Sequence, residues 1–140
     1  MQSASTYNQR GFAKQQRGDL DGALADYNEA IKLDPRFAPG FNNRGIIKLK
    51  KGDLGGAMAD YNRAIEIDSK YFRGYNNIGF VKFREGDVDG AIAEYDHAIA
   101  LNPNYGLAYR NRGEARRKKG DLEGAMADFN RASKLGVSND

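Results

Sequence analysis

The 140-residue sequence contains no cysteine, no tryptophan, three prolines and one histidine, His97. Without cysteine, the chain has no disulfide framework, no thiolate metal site and no cysteine nucleophile. A single histidine without clustered carboxylates provides neither a metal site nor an acid–base pair. The phosphate-binding patterns G-x-x-x-x-G-K-S/T and G-x-G-x-x-G are also missing. The sequence therefore predicts a protein that is not an enzyme, with no metal and no cofactor.

Long hydrophobic runs are absent as well. No apolar stretch approaches the roughly 18 residues that a membrane span needs. The start of the chain, MQSASTYNQRG, lacks the basic segment and apolar core of a signal peptide. We therefore expect no membrane span and, by default, a cytoplasmic location, although these features do not determine the compartment.

The formal net charge of +3 is modest, but its distribution is uneven. Residues 106–139 carry eight basic and four acidic side chains, so the net positive charge lies in this quarter of the chain. Arg110–Lys119 is the basic segment that could bind an anion or RNA. Its densest part, Arg116–Lys119, is equally well explained as a solvated helix face, and nucleic acid is not the expected partner.

A 34-residue repeat fills the chain. The stretch GDLDGALADYNEAIKLDP at residues 18–35 returns in similar form at 52–69, 86–103 and 120–137, with no insertion or deletion. A fixed period of this length indicates an array of repeats in which each unit contacts its neighbours. We expect one array over residues 4–139, preceded by a tail of residues 1–3. The predicted repeats are 4–37, 38–71, 72–105 and 106–139.

Each repeat is predicted to form two helices, which in the first copy run from about Ala4 to Gln16 and from about Leu20 to Leu33. Gly18 can take the left-handed conformation that ends the first helix. Asp19 can cap the second helix, and Pro35 stops it. All four copies also place a glycine in the first turn of the second helix, where it costs ~1 kcal/mol relative to alanine. Either a neighbouring helix approaches closely there, or the glycine is inherited from a duplicated ancestor.

A shared set of aromatic and small residues recurs in every copy. The first helix carries an aromatic at Tyr7, Phe41, Tyr75 and Tyr109, and a glycine at Gly11, Gly45, Gly79 and Gly113. The second helix carries Ala23, Ala57, Ala91 and Ala125, then Tyr27, Tyr61, Tyr95 and Phe129, then Ala30, Ala64, Ala98 and Ala132. In this pattern the chain resembles the tetratricopeptide repeat (TPR) family, and its style is similar to bacterial members. The resemblance implies an all-α fold, a right-handed α-solenoid of four helix-turn-helix hairpins with eight helices.

Charged residues replace part of the family pattern. Arginine stands before the first-helix glycine in three copies, and in those copies the second helix carries an aspartate. We predict ion pairs across each of these hairpins. The predicted pairs are Arg10–Asp26, Arg44–Asp60 and Arg112–Asp128.

The resemblance implies a non-enzymatic protein–protein interaction module that binds a peptide or partner segment in a concave groove lined by the first helices. The candidate groove residues are Asn8, Phe12, Asn42, Asn43, Ile46, Leu49, Arg73, Asn76, Asn77, Phe80, Phe83, Arg84, Arg110, Asn111 and Arg117. The amides can bond the backbone of an extended peptide, or they can tie neighbouring first helices together. The apolar members form either an exposed binding strip or core between repeats. With the basic members, they suggest a ligand with apolar anchors and an acidic end.

One binding mode of the family is not expected here. The carboxylate clamp that holds the acidic tail of heat-shock chaperones has Lys, Asn, Asn, Lys and Arg at five positions. These positions are occupied by Asn8, Phe12, Asn43, Arg73 and Asn77. Only Asn43 matches, and Arg73 preserves the charge.

Self-assembly is the main alternative function. The last predicted second helix carries Met126, Phe129 and Leu135, which would form an open face if no further element covers them. A terminal face of a repeat array needs a polar covering element. A second copy could cover this face symmetrically in a two-fold dimer, or end to end in a filament, which gives a homo-oligomer in either case.

Overall fold

The computed structural model describes residues 2–138, which form eight α-helices and no strand. The helices are α1 (Ala4–Gln16), α2 (Leu20–Leu33), α3 (Ala38–Lys50), α4 (Leu54–Ile67), α5 (Phe72–Arg84), α6 (Val88–Leu101), α7 (Gly106–Lys119) and α8 (Leu122–Lys134). The predicted all-α fold of four hairpins is confirmed, and the first two helices begin and end where the sequence predicts. None of the described helices is long and apolar enough to cross a bilayer.

The chain divides into two compact units, residues 1–69 and residues 70–140. In the first unit, α1 packs on α2, α3 packs on α4, and the two hairpins meet through α2 with α3 and α1 with α3. The second unit repeats this arrangement with α5, α6, α7 and α8. Within each unit the odd-numbered helices, here called the first helices, therefore lie side by side.

A glycine and an aspartate make the turn inside every hairpin. The glycines have positive φ angles, from 83° at Gly18 to 96° at Gly120, a conformation that costs glycine little. The following aspartate caps the next helix, since the Gly22 amide donates to the Asp19 carboxylate at 2.9 Å. The same bond recurs from Gly56 to Asp53, Gly90 to Asp87 and Gly124 to Asp121.

This cap also explains the glycine in the first turn of each second helix. A Cβ placed on Gly22 would lie 2.2 Å from Oδ2 of Asp19. The three nearest atoms all belong to the helix's own capping carboxylate, so this carboxylate, rather than a neighbouring helix, is the closest obstacle. The equivalent glycines, Gly56, Gly90 and Gly124, meet Asp53, Asp87 and Asp121 in the same way.

The helices of each hairpin approach closely where glycine faces an aromatic ring. A Cβ on Gly11 would lie 2.7 Å from the Tyr27 ring, and one on Gly45 would lie 2.6 Å from the Tyr61 ring. Tyr27 and Tyr61 are completely buried. These tyrosines fill the space that glycine leaves, so their role is packing, as the family pattern implies.

The predicted ion pairs across the hairpins are confirmed. Arg10 Nη2 lies 3.1 Å from Asp26 Oδ1, and Arg112 Nη2 lies 2.8 Å from Asp128 Oδ1. The pair Arg44–Asp60 has the same spacing along the chain, with 2.8 Å between Nη2 and Oδ1. All three aspartates are buried and hold a second cation, which the sequence analysis missed. These second cations are Lys14, Lys48 and Arg116.

Candidate functional site

Two amide–amide hydrogen bonds join neighbouring first helices. Asn43 Nδ2 donates to Asn8 Oδ1 at 2.9 Å, which links α3 to α1. Asn111 Nδ2 donates to Asn76 Oδ1 at 3.1 Å, which links α7 to α5. In both pairs the amides therefore tie neighbouring first helices together, which is one of the two roles that the sequence leaves open.

Burial separates the amides into two groups. Asn42, Asn76 and Asn111 are only 2%, 1% and 8% exposed, so their side chains are not presented to solvent as groove residues would be. Asn8 and Asn43 are half-buried and keep an accessible edge. This difference could not be predicted from the sequence, because each of the two amide columns contains both buried and half-buried members.

Asn76 also influences Tyr105, which precedes α7. Burial raises the pKa of the Tyr105 phenol, and the nearby Arg73 and then a hydrogen bond with Asn76 counteract part of the rise. Asn76 is therefore a packing residue of the second unit, in contrast to its expected role in the groove.

Apolar side chains lie one helical turn beyond the Asn8–Asn43 bond. Phe12 follows Asn8 by four residues and Ile46 follows Asn43 by three, so each lies on the same helix face as its amide. Phe12 is 49% exposed, and Ile46 is half-buried. The surface formed by Asn8, Phe12, Asn43 and Ile46 is called the α1–α3 surface below.

The second unit carries corresponding apolar residues, Phe80 and Phe83, which differ in how far they are packed into the core. Phe80 follows Asn76 by four residues and is half-buried. Phe83 packs against the core cluster of Ala91, Tyr95 and Ala115, so for this residue the core interpretation applies. Leu49, at the matching position of the first unit, is half-buried too.

The basic groove candidates differ in how far their charge is compensated. Arg73 and Arg84 on α5 are exposed. The Arg73 guanidinium lies 4.9 Å from the Phe72 ring centre and 5.8 Å from that of Tyr105, contacts that retain its positive charge. Arg117 pairs with Glu114 on its own helix. Arg110 is half-buried, close enough to Tyr95 to counteract part of the pKa rise that burial causes there.

Ion pairs neutralise most of the basic run at the end of α7. Arg116 pairs with Asp128 at 3.0 Å, and Lys119 pairs with Asp89 at 2.6 Å. With Arg117 bound to Glu114, three of the four cations in this run have acidic partners. The structure therefore offers less positive surface to an anion or RNA than the sequence suggests.

The three residues of the predicted self-association face lie in different environments. Met126 is 64% exposed. Phe129 is half-buried, because its ring packs where a Cβ of Gly113 would lie, and Leu135 approaches Gly106 in the same way. The structure adds Leu122, which is 68% exposed and one turn before Met126. The i, i+4 spacing of Leu122 and Met126 was the signal that could have identified it.

The described residues bring together no metal site: among residues 2–138, no three His, Cys, Asp or Glu side chains converge. His97 is exposed, with its ring centre 3.9 Å from that of Tyr75. This ring contact joins α6 to α5.

Solved structures of similar fold support the repeat architecture. The crystal structure of MamA has 24% identity and a TM-score of 0.77, over 94% of this chain and 77% of that one. The thermophilic TPR protein TTC0263 of Thermus thermophilus has 20% identity and a TM-score of 0.86, over 96% and 75% of the two chains. The first TPR of Spaghetti (RPAP3), bound to the HSP90 peptide SRMEEVD, has 20% identity and a TM-score of 0.76, over 84% and 94%.

The sequence matches models of known protein families over most of its length. No curated protein matches the sequence. A family model for the TPR repeat matches residues 11–52 and 47–86, and a second model for the tetratricopeptide repeat matches residues 79–136. The chain therefore belongs to the tetratricopeptide repeat family, whose repeats indicate a protein–protein interaction module.

Proposed function

We propose that this protein binds an extended segment of a partner protein on the surfaces of its first helices. The observation that carries the proposal is the α1–α3 surface, where a half-exposed aromatic ring, Phe12, lies one turn from a pair of half-buried amides. The family match over residues 47–86 spans the boundary between the two units, which supports a single repeat array over residues 4–139.

The amides of the α1–α3 surface retain unused hydrogen-bonding capacity. Each asparagine side chain has two N–H donors and an oxygen that can accept twice. The bond between Asn43 and Asn8 uses one donor of Asn43 and one acceptor position of Asn8. The remaining donors and acceptors can bond the backbone of an extended peptide, which favours a partner segment over a small molecule.

Phe12 supplies the apolar part of the recognition. Its ring is 49% exposed, and full burial of such a side chain stabilises by roughly 1.5–3 kcal/mol. Covering the exposed half would therefore contribute about 1 kcal/mol by the same area relation. Together with Ile46, it offers a contact for one or two apolar side chains of the ligand.

The first helices of the second unit favour an acidic ligand. Arg73, Arg84 and Arg110 carry positive charge, and opposite charge on a partner increases specificity and association rate. A structural neighbour that holds the peptide SRMEEVD supports a peptide as the class of ligand. The chaperone tail itself is not proposed, because Asn8, Phe12 and Asn77 stand where the family's clamp has Lys, Asn and Arg.

Selection from a random peptide library displayed on phage tests the proposal, followed by calorimetric titration of the selected peptides. Phe12→Ala and Asn43→Ala should each weaken binding by about tenfold, the loss typical of a central interface residue. Lys32→Ala is the matched control, because Lys32 is an exposed residue of α2. Failure to enrich any peptide, or equal affinity of all three variants for the peptides obtained, would reject the α1–α3 surface as the binding site.

A further inference from the structure

The most exposed large apolar side chains of the described residues lie together on α8. Leu122 is 68% exposed and Met126 is 64% exposed. They are four residues apart, so they form one face of the helix. This face belongs to a second helix, whereas peptide binding is proposed on the first helices.

Equivalent positions in the first and third repeats are covered by the next first helix. Leu20 and Leu24 of α2 pack against a buried cluster that includes Ile47 of α3. Val88 and Ile92 of α6 pack against a cluster that includes Ala115 of α7. These four residues precede Leu122 and Met126 by whole 34-residue periods, so each unit contains an internal example of how this face is covered.

The complementary position is present and exposed on α1. Ala13 precedes Ile47 by one period and Ala115 by three, and it is exposed to solvent. A small side chain is sufficient at this position, because in the second unit Val88 and Ile92 pack against a cluster whose member on α7 is Ala115. The outer face of α1 therefore presents the position that, on α3 and α7, is covered by the residues equivalent to Leu122 and Met126.

Charge complementarity points to the same pairing. Two ion pairs cross the internal interfaces, Lys51 with Asp21 and Lys119 with Asp89 at 2.6 Å. The repeat places Glu123 on α8 where Asp21 and Asp89 stand, and Arg17 at the end of α1 where Lys51 and Lys119 stand. Both Glu123 and Arg17 are exposed, and within residues 2–138 neither has an ion-pair partner.

We infer that α8 of one copy docks on α1 of a second copy, in the register that α2 uses on α3 and α6 uses on α7. Leu122 and Met126 then cover Ala13, and Glu123 pairs with Arg17. Because the two contacting surfaces differ, the contact is heterologous and leaves both ends of the assembly available. The association is therefore head to tail and open, in contrast to a closed two-fold dimer.

Sedimentation velocity of the 140-residue protein from micromolar to millimolar concentration is the first test. The average mass of the wild type should rise continuously with concentration. Met126→Lys should remain monomeric, since it places a charge in the apolar contact. Thermal unfolding followed by circular dichroism controls for folding, and an exposed position should tolerate this change. A wild type that stays monomeric throughout overturns the inference.

Charge reversal then separates head-to-tail association from a two-fold dimer. Glu123→Arg and Arg17→Glu should each weaken association by about threefold or more, as reversal of an exposed ion pair implies. An equimolar mixture of the two variants should associate like the wild type, because every contact between unlike copies again joins opposite charges. If Arg17→Glu alone has no effect, or if the mixture is no stronger than the separate variants, α1 is not the docking surface.

Discussion

Arg44 and Asp60 form a two-point ion pair across the hairpin of α3 and α4. Arg44 Nε donates to Asp60 Oδ2 at 2.9 Å, and Arg44 Nη2 donates to Asp60 Oδ1 at 2.8 Å. This hydrogen bonding raises the pKa of Arg44 although burial opposes it. Lys48 Nζ lies 3.1 Å from the same carboxylate. One buried acid thus pairs with two half-buried cations of the hairpin.

Removal of this acid should destabilise the protein severely. Asp60→Ala leaves Arg44 and Lys48 partly buried without their counter-charge, and breaking a buried pair in this way costs about 3 kcal/mol or more. Urea unfolding followed by circular dichroism measures the change in free energy of unfolding. Asp21→Ala is the control, because the Asp21 side chain is 86% exposed in its pair with Lys51, and no measurable change is expected. Equal effects of the two variants would contradict this account.

Removal of the hydroxyl group should have opposite effects on the free energy of unfolding at Tyr27 and at Tyr61. Tyr27 donates to Gln15 at 2.7 Å, whereas the buried Tyr61 hydroxyl has no hydrogen-bond partner among the described residues. Leu49 stands where Gln15 would provide the acceptor. Tyr27→Phe should cost about 1 kcal/mol of unfolding free energy, and Tyr61→Phe should be neutral or stabilise by up to about 1 kcal/mol.

In the fourth repeat, Phe129 occupies the position of Tyr27 and Tyr61, so this repeat already has a ring without a hydroxyl there. Chemical unfolding of both variants in parallel is the measurement. A larger loss of stability for Tyr61→Phe than for Tyr27→Phe would show that the Tyr61 hydroxyl has an acceptor after all.

Two helical glycines should differ in their tolerance of alanine. Gly55 has nothing within 4 Å of an added Cβ, so Gly55→Ala should stabilise α4 by about 0.5–1 kcal/mol. Gly22→Ala should not stabilise α2, because its Cβ would lie 2.2 Å from the Asp19 carboxylate and displace the cap. Thermal unfolding compares the two variants.

A double substitution at Asp19 and Gly22 tests whether the capping carboxylate is what excludes a side chain at Gly22. In the background of Asp19→Ala, where the carboxylate is absent, Gly22→Ala should become stabilising by about the helix propensity difference of 1 kcal/mol. If Gly22→Ala has the same effect with and without Asp19, an obstacle other than the cap excludes the side chain.

Alkaline pH should destabilise the protein through its buried tyrosines. Burial, and secondarily the nearby Asp26, raises the pKa of Tyr27 to about 12, from about 10 in the unfolded chain. Between about pH 10 and about pH 12 the folded state therefore binds more protons than the unfolded state, so stability falls as pH rises. The contribution is fully present below about pH 10.

Unfolding curves across this range, together with tyrosinate absorbance, measure the effect. Burial also raises the pKa values of Tyr61 and Tyr95. Tyr27→Phe should lose stability less steeply with pH than the wild type does. An unchanged slope would mean that Tyr27 ionises as easily in the folded protein as in the unfolded chain.

Features that depend on residues within one hairpin could be predicted from the sequence. The arginine and the aspartate of each ion pair lie 16 residues apart in all three copies, so the repeat itself indicates that they face each other. The turn glycines and capping aspartates were predicted for the same reason. The reason for Gly22 was missed, although Asp19 lies three residues away, because the direction of the capping carboxylate is not visible in the sequence.

The sequence by itself determined the period, the eight helices, the hairpin contacts and the family. It did so because local propensities and repeated spacing act within each 34-residue unit. Tertiary structure alone decided that Asn42 and Asn76 are buried while Phe12 and Met126 are exposed. Each of these residues occupies a column that keeps one type of side chain in at least three of the four repeats. Their exposure depends on which neighbouring helix covers them, and that is a property of packing between repeats, which the spacing within a repeat does not specify.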